Sequence, residues 1–325
     1  MTASPATPPC GIWAFPAAPA PQLVEAIVHA ERVGLDEVWL GDEGPAREPF
    51  GVLAAAAVRT ERIRLAVGIT NPYVRNPALA CTSAQTIGEL SGGRCTLGLG
   101  AGGDLSLGPL HQERTQRPMA AIRSMIGIAR AVERGEAIDG FTPGQHAISG
   151  QGVPIFVGAK GERLNRLASE LADGAFVAGP PPFAYDELLG WVRSVRPIDV
   201  ALVPSVAWDV DDIEATRAQM IVGIRNAPAD VRRRLGVDDA EVDRAAVALA
   251  EGDAEPARRL VTDEVAAELV LLGEPEVVGR RLAELVERHR PASIGLALLH
   301  GELTESIDRA AAAFDAMRSA LDARR

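Results

Sequence analysis

The chain has 325 residues, 47% of them hydrophobic and 4% aromatic, so a large core is available and Ala, Val, Leu and Ile are expected to fill it. The formal net charge is −11 and no basic stripe appears, which argues against a nucleic-acid partner: the run Arg232, Arg233, Arg234 is answered at once by Asp238, Asp239 and Glu241, as on a solvated helix face. Three cysteines, Cys10, Cys81 and Cys95, are widely spaced without a CxxC, so reduced structural thiols are expected rather than a disulfide framework or a zinc knuckle.

Short apolar runs alternate with amphipathic segments along the whole chain. Residues 10–15 read as a strand, residues 21–33 as a helix stopped by Gly34, and residues 37–40 as a second strand ending in Gly41, Asp42 and Glu43. An alanine-rich helix over residues 49–59 and a third strand over 63–70 follow. The third helix has the clearest punctuation, with Asn76 as cap, Pro77 in the first turn and Gly92-Gly93 as stop. Residues 94–100 are the fourth strand; its end, Gly98 to Gly103, matches GxGxxG, but residues 104–109 read as loop, so a Rossmann dinucleotide site is discounted in favour of a tight glycine turn that admits a flat ring.

A helix over about residues 117–134 leads to a glycine-rich excursion or short hairpin at 136–152. Strand five (154–157) runs into Gly158, Ala159, Lys160 and Gly161, and a helix begins directly after, reaching about residue 172. Small residues ahead of a helix expose amide N–H groups to an anion, and Lys160 adds a cation, so a phosphate group is the expected ligand. Strand six (174–178), a helix (183–195) and strand seven (199–206) precede a long acidic, Arg-rich helical stretch over 209–272. Helix eight starts near Pro275, strand eight is 293–299, and a helix over about 304–322 ends the chain.

Eight such units predict one closed (β/α)8 TIM-barrel domain over residues 1–325, with excursions after strands four and seven; an open doubly wound sheet is the rival. Barrel chemistry gathers where strands end, which singles out Asp42-Glu43, the glycine turn after strand four, residues 158–161, and His111 and His300. The five histidines show no HxxxH or carboxylate-spaced set, so no metal is expected. Residues 2–9 have neither basic nor apolar leader character, and no apolar run nears the ~18 residues of a membrane span, so a soluble cytoplasmic protein with no membrane partner is expected.

Four runs together resemble a known family: Val67-Gly68-Ile69-Thr70-Asn71-Pro72-Tyr73, Asn76-Pro77-Ala78, Glu89-Leu90-Ser91-Gly92-Gly93-Arg94 and Leu97-Gly98-Leu99-Gly100-Ala101-Gly102. They look like the luciferase-like flavin and deazaflavin oxidoreductases, and within these most like the methylene-tetrahydromethanopterin reductase branch, which uses coenzyme F420. The segment from Pro154 to Gly174 matches the same branch. The resemblance implies an F420-dependent oxidoreductase acting on a small organic molecule, with a pterin- or folate-like compound as one candidate. It implies that Asp42 hydrogen-bonds the cofactor's ring system, that Gly68 and Ile69 form a bulge behind the ring with a cis peptide bond between them, that Asn71 touches the ring edge or side chain, and that Gly158, Ala159, Lys160 and Gly161 hold the phosphate. It also implies a homodimer paired through the early helices. Glu43 or Asp104 is the candidate catalytic proton carrier.

Three positions depart from the pattern. Glu43 stands where many deazaflavin enzymes carry His, Gly103 pushes the acid after the glycine turn to Asp104, and Trp13 follows Gly11-Ile12 where the pterin reductases usually carry Glu. An FMN-dependent monooxygenase on the same fold, a nicotinamide dehydrogenase on an open sheet and a catalytically idle cofactor-binding protein are the alternatives.

Overall fold

The computed structural model describes residues 7–113, 115–145 and 152–324, with the side chains of Asp104 and Leu105 outside the described set. The first half alternates strand and helix: β1 (Cys10–Ala14), α1 (Ala20–Arg32), β2 (Glu37–Leu40), α2 (Pro49–Ala57), β3 (Arg64–Thr70), α3 (Pro77–Ser91) and β4 (Cys95–Gly100). After β4 come α4 (Asp104–Leu107), α5 (Pro118–Arg134), β5 (Ile155–Gly158), α6 (Glu162–Leu171), β6 (Gly174–Ala178), α7 (Tyr185–Val192) and β7 (Asp199–Val203). The remainder is β8 (Ser205–Ala207), α8 (Val210–Arg225), α9 (Ala229–Arg234), α10 (Asp239–Ala250), α11 (Glu255–Leu260), α12 (Asp263–Leu269), β9 (Leu271–Leu272), α13 (Pro275–His289), β10 (Ser293–Leu298) and α14 (Leu303–Ala323).

Strands β1 to β7 pair in chain order, all parallel, and β10 closes the ring between β7 and β1. The closure rules out the open doubly wound sheet. The seventh strand is split where a single run was expected. Pro204 has no N–H to donate, so the ladder stops at Val203 and resumes at Ser205, and β7 and β8 share β10 as partner.

Helix α3 forms as its punctuation predicts: Asn76 Oδ1 accepts from the backbone N–H of Ala78 and Leu79, Pro77 opens the helix, and Gly92 ends it in the left-handed region. Arg94 then locks the turn, donating to the carbonyls of Ala57, Thr60 and Ile63. Beyond β4 the expected loop is instead one helical turn at Asp104–Leu107, followed by a 3-10 turn at Gly108–Leu110. The Ser106 hydroxyl, bonded to Gly103, closes that turn. Of the expected hairpin at 136–152, an isolated antiparallel bridge joins Ile138 and Phe141, and residues 146–151, His146 among them, lie outside the described residues.

Two layers of core result. Between strands and helices, Val, Leu, Ile and Ala dominate, as expected. Inside the barrel Ala66, Ala201, Val203 and Ala297 are joined by the aromatic rings of Trp39, Phe156 and Phe176, with the Trp39 and Phe176 rings 4.4 Å apart. Few aromatics suffice because the interior of an eight-stranded barrel takes only a few side chains per layer. Helices α8 to α12 add a separate apolar cluster, centred on Ile221, Ile224 and Val261, beside the mouth. The three cysteines are buried and unpaired, and burial pushes each thiol up to about 12, so they are inert packing.

Candidate active site

A cavity of about 520 Å³ opens at the C-terminal ends of the strands. The ends of β3, β4 and β5 form one side, and the polypeptide after β6 together with α8 forms the other. Of the residues singled out from sequence, Glu43, Gly68, Ile69, Asn71, Gly158, Ala159, Lys160 and Gly161 all border it. They come from three separate stretches that only the closed sheet brings together.

The peptide bond between Gly68 and Ile69 is cis, and the β3–β4 register is irregular between Val67 and Thr70. Both features expected of that strand are present. The glycines around it have a different reason from the expected approach of a ring. A Cβ on Gly98 would lie 2.6 Å from Ile69 Cγ2; one on Gly100 or Gly158 would lie 2.3 or 2.6 Å from Ile69 Cδ1. The Ile69 side chain therefore fills a notch cut by three glycines on β4 and β5. The Gly68 carbonyl accepts a hydrogen bond from the Trp13 indole N–H.

The paired acids of the second strand separate. The Asp42 carboxylate is buried and held by Arg75, whose Nε lies 2.7 Å away and whose other nitrogen reaches Glu48. Asp42 does not border the cavity, so its implied bond to a ring lacks support here: Arg75, 33 residues on, already takes the carboxylate. Glu43 faces the cavity, and burial, with the neighbouring Asp42 charge, pushes its pKa up to about 7. Asn71 is also partly committed, because its Oδ1 accepts from the backbone N–H of Tyr73 and Val74, which leaves its amide nitrogen for a ligand. The other acid candidate, Asp104, opens helix α4, and its side chain is outside the described set.

Lys160 is the only lysine in the chain. It is half-buried, its Nζ donates to the Gly223 carbonyl at 3.2 Å, and burial pulls its pKa down to about 8 against the opposing pull of Glu43. Directly after it, helix α6 starts at Gly161 with no side-chain cap, so its first amides are left to a ligand or solvent. Buried Asn165 braces this turn by donating to the Gly161 and Ala159 carbonyls.

Among the cavity residues to which the sequence assigns no role are Trp13, Thr70, Phe176 and Gln219. Thr70 Oγ1 is buried with no hydrogen-bond partner, an unsatisfied group at the end of β3. Its place in the Gly68-Ile69-Thr70-Asn71 run was the available signal. Gln219 lies in α8, and nothing local marks it. Among the described residues no cluster of three metal-ligating side chains occurs, and no helix is long and apolar enough to cross a membrane.

A closed parallel barrel with its cavity at the strand ends defines the fold class, and the family model described as "Luciferase-like monooxygenase" matches residues 4–290: the chain belongs to that family. It is 29% identical to the 5,10-methylenetetrahydromethanopterin reductase of Methanolobus tindarius, over 85% of this chain and 90% of that one. It is 30% identical to the F420-dependent glucose-6-phosphate dehydrogenase of Beutenbergia cavernae, over 70% and 76%. Among solved structures, the coenzyme F420 dependent tetrahydromethanopterin reductase of Methanopyrus kandleri superposes with a TM-score of 0.77 at 26% identity, covering 94% of this chain and 98% of that one.

Proposed function

We propose that this chain transfers a hydride between coenzyme F420 and a small organic substrate at the barrel mouth. As a luciferase-like family member whose relatives carry F420-dependent names, it is an F420-dependent oxidoreductase. The observation that carries the site assignment is the polarity of the cavity. Phe176 and Ile69 give its lining an apolar part, and Lys160 at the uncapped start of α6 gives it a cationic one. That combination fits a ring system against the apolar side chains and a phosphate at Lys160, and the unsatisfied Thr70 Oγ1 fits a polar ring edge. Gly158, Ala159, Lys160 and Gly161 hold the phosphate, Gly68, Ile69 and Asn71 support the ring, and Asp42 acts through Arg75 rather than by direct contact.

Bound F420 supplies an obligate two-electron hydride carrier. The protein orients it, excludes water and handles the accompanying proton through Glu43. Titration with F420 and with FMN tests the assignment: F420 is expected to bind at least about tenfold tighter, a gap of about 1.4 kcal/mol. Tighter FMN binding overturns it.

Lys160→Ala is expected to weaken F420 binding by about 1–2 kcal/mol, as for one charge-assisted contact, and to flatten its salt dependence. In the wild type, affinity should fall as pH rises through about 8, where the ammonium is lost. Unchanged affinity and salt slope in the variant would leave the phosphate to the amides alone.

The reading includes a homodimer. Val58 after α2 and Leu79 and Leu90 on the adjacent α3 are 64%, 67% and 46% exposed, more apolar surface than a solvated face needs. Light scattering at micromolar concentration should give twice the monomer mass of 34.2 kDa; the monomer mass refutes it.

A further inference from the structure

Beside the proposed cofactor cavity lies a larger lobe of about 940 Å³, between the segment after β1, helix α8 and the segment after β10. The two spaces share Trp13, Gly179, Ser205, Gln219, Gly223 and Leu299, so they form one continuous mouth. Ala18, Ala215, Met220, Leu298 and Leu303 make the lobe's wall largely hydrocarbon.

The charges matter most. Among the described residues lining this lobe none is Lys or Arg. Its two carboxylates are already engaged: Glu25 with Arg59, and Glu302 as the cap of α14, accepting from the backbone N–H of Glu305 at 2.8 Å. Thr216 is spent as well, donating to the Asp212 carbonyl. Among the described residues Lys160 is the one lysine or arginine of the whole mouth, and it sits in the other cavity beside α6; the lobe's own ionisable base is the His300 imidazole. An anionic substrate would therefore enter a largely apolar space that holds two carboxylates and no permanent counter-charge. At the junction Trp13 presents an indole whose N–H is tied to the Gly68 carbonyl, an apolar face with no spare donor. Gln219, on the opposite side of the junction, keeps a neutral amide there.

We propose that this lobe binds an uncharged, mainly hydrocarbon substrate with a single carbonyl-type acceptor, which Gln219 engages at the junction. Phosphorylated and carboxylated molecules are excluded. The proposal rests on the cofactor assignment for its place in catalysis, but the binding preference does not.

The test uses two matched probes, 2-acetylnaphthalene and 6-acetyl-2-naphthoate, titrated calorimetrically into the purified protein with and without F420. The neutral ketone is expected to bind at least about tenfold tighter than its carboxylate, reflecting an uncompensated charge in an apolar site. Ala215→Trp, which fills the lobe from a half-buried position outside the cofactor cavity, should abolish ketone binding and leave F420 binding, read by its fluorescence, unchanged. Ala18→Arg should narrow the gap by raising affinity for the carboxylate. Equal or tighter binding of the carboxylate, no binding of either probe, or ketone binding that survives Ala215→Trp overturns the proposal. Loss of F420 binding in the wild type with the ketone preference intact would instead sink the cofactor assignment alone.

Discussion

Glu43→Gln is expected to lower kcat about a hundredfold or more, the usual cost of removing a positioned acid–base group, while F420 affinity changes little. The variant keeps the shape and hydrogen-bonding reach of the side chain and removes only its proton exchange. Burial raises the Glu43 pKa to about 7, so near neutral pH a substantial fraction of the carboxyl carries its proton in a cavity where it can release it. The sign follows the direction of reaction. In substrate reduction Glu43 donates, so the wild-type rate should fall as pH rises through about 7; in substrate oxidation it accepts, and the rate should rise over the same window. Steady-state rates of both proteins across that range check the idea. An unchanged kcat and pH profile in Glu43→Gln would remove Glu43 from proton transfer and leave Asp104 as the acid to test.

Gly98→Ala should produce the largest loss of stability of any single methyl added at the barrel mouth. Its Cβ would lie 2.3 Å from the Val67 carbonyl oxygen, 2.6 Å from Ile69 Cγ2 and 3.3 Å from Trp39. The oxygen belongs to the neighbouring strand and cannot swing away, so β3 and β4 must part. Overpacking of this kind costs about 1–3 kcal/mol. Gly103→Ala is the control, since nothing lies within 4 Å of the added carbon. Denaturant midpoints that are equal for the two variants would contradict the notch. A displaced Ile69 should also weaken F420 binding in Gly98→Ala, because that side chain borders the cavity.

The order of elements was legible because burial leaves a periodic trace. The barrel strands between two apolar layers read as short continuous apolar runs, and helices such as α3 carry caps and stops within their own residues. The family runs around Gly68-Ile69 and Gly98-Leu99-Gly100 were equally local, and so pointed correctly to the bulge and the cis bond. Errors arose where a local reading stood in for a distant contact. The residues after the glycine turn looked like loop, yet the Ser106 hydroxyl closes them into a helical turn. The glycines of β4 looked like room for a ligand, and Ile69 from the next strand occupies it.

By itself, then, the sequence determined the alternation of strands and helices, the helix ends, the family and the loop that carries Lys160, because each is written in residues a few positions apart. Only the tertiary structure decided which acid faces the cavity, what fills the barrel centre and what lines the larger lobe. Asp42 is held by Arg75, the centre combines the rings of Trp39, Phe156 and Phe176 with small aliphatic residues, and the lobe draws on segments as far apart as Trp13, Gln219 and Leu299. Those outcomes depend on closing the β10–β1 seam, which sets side chains from opposite ends of the chain against one another and which no local run of residues encodes.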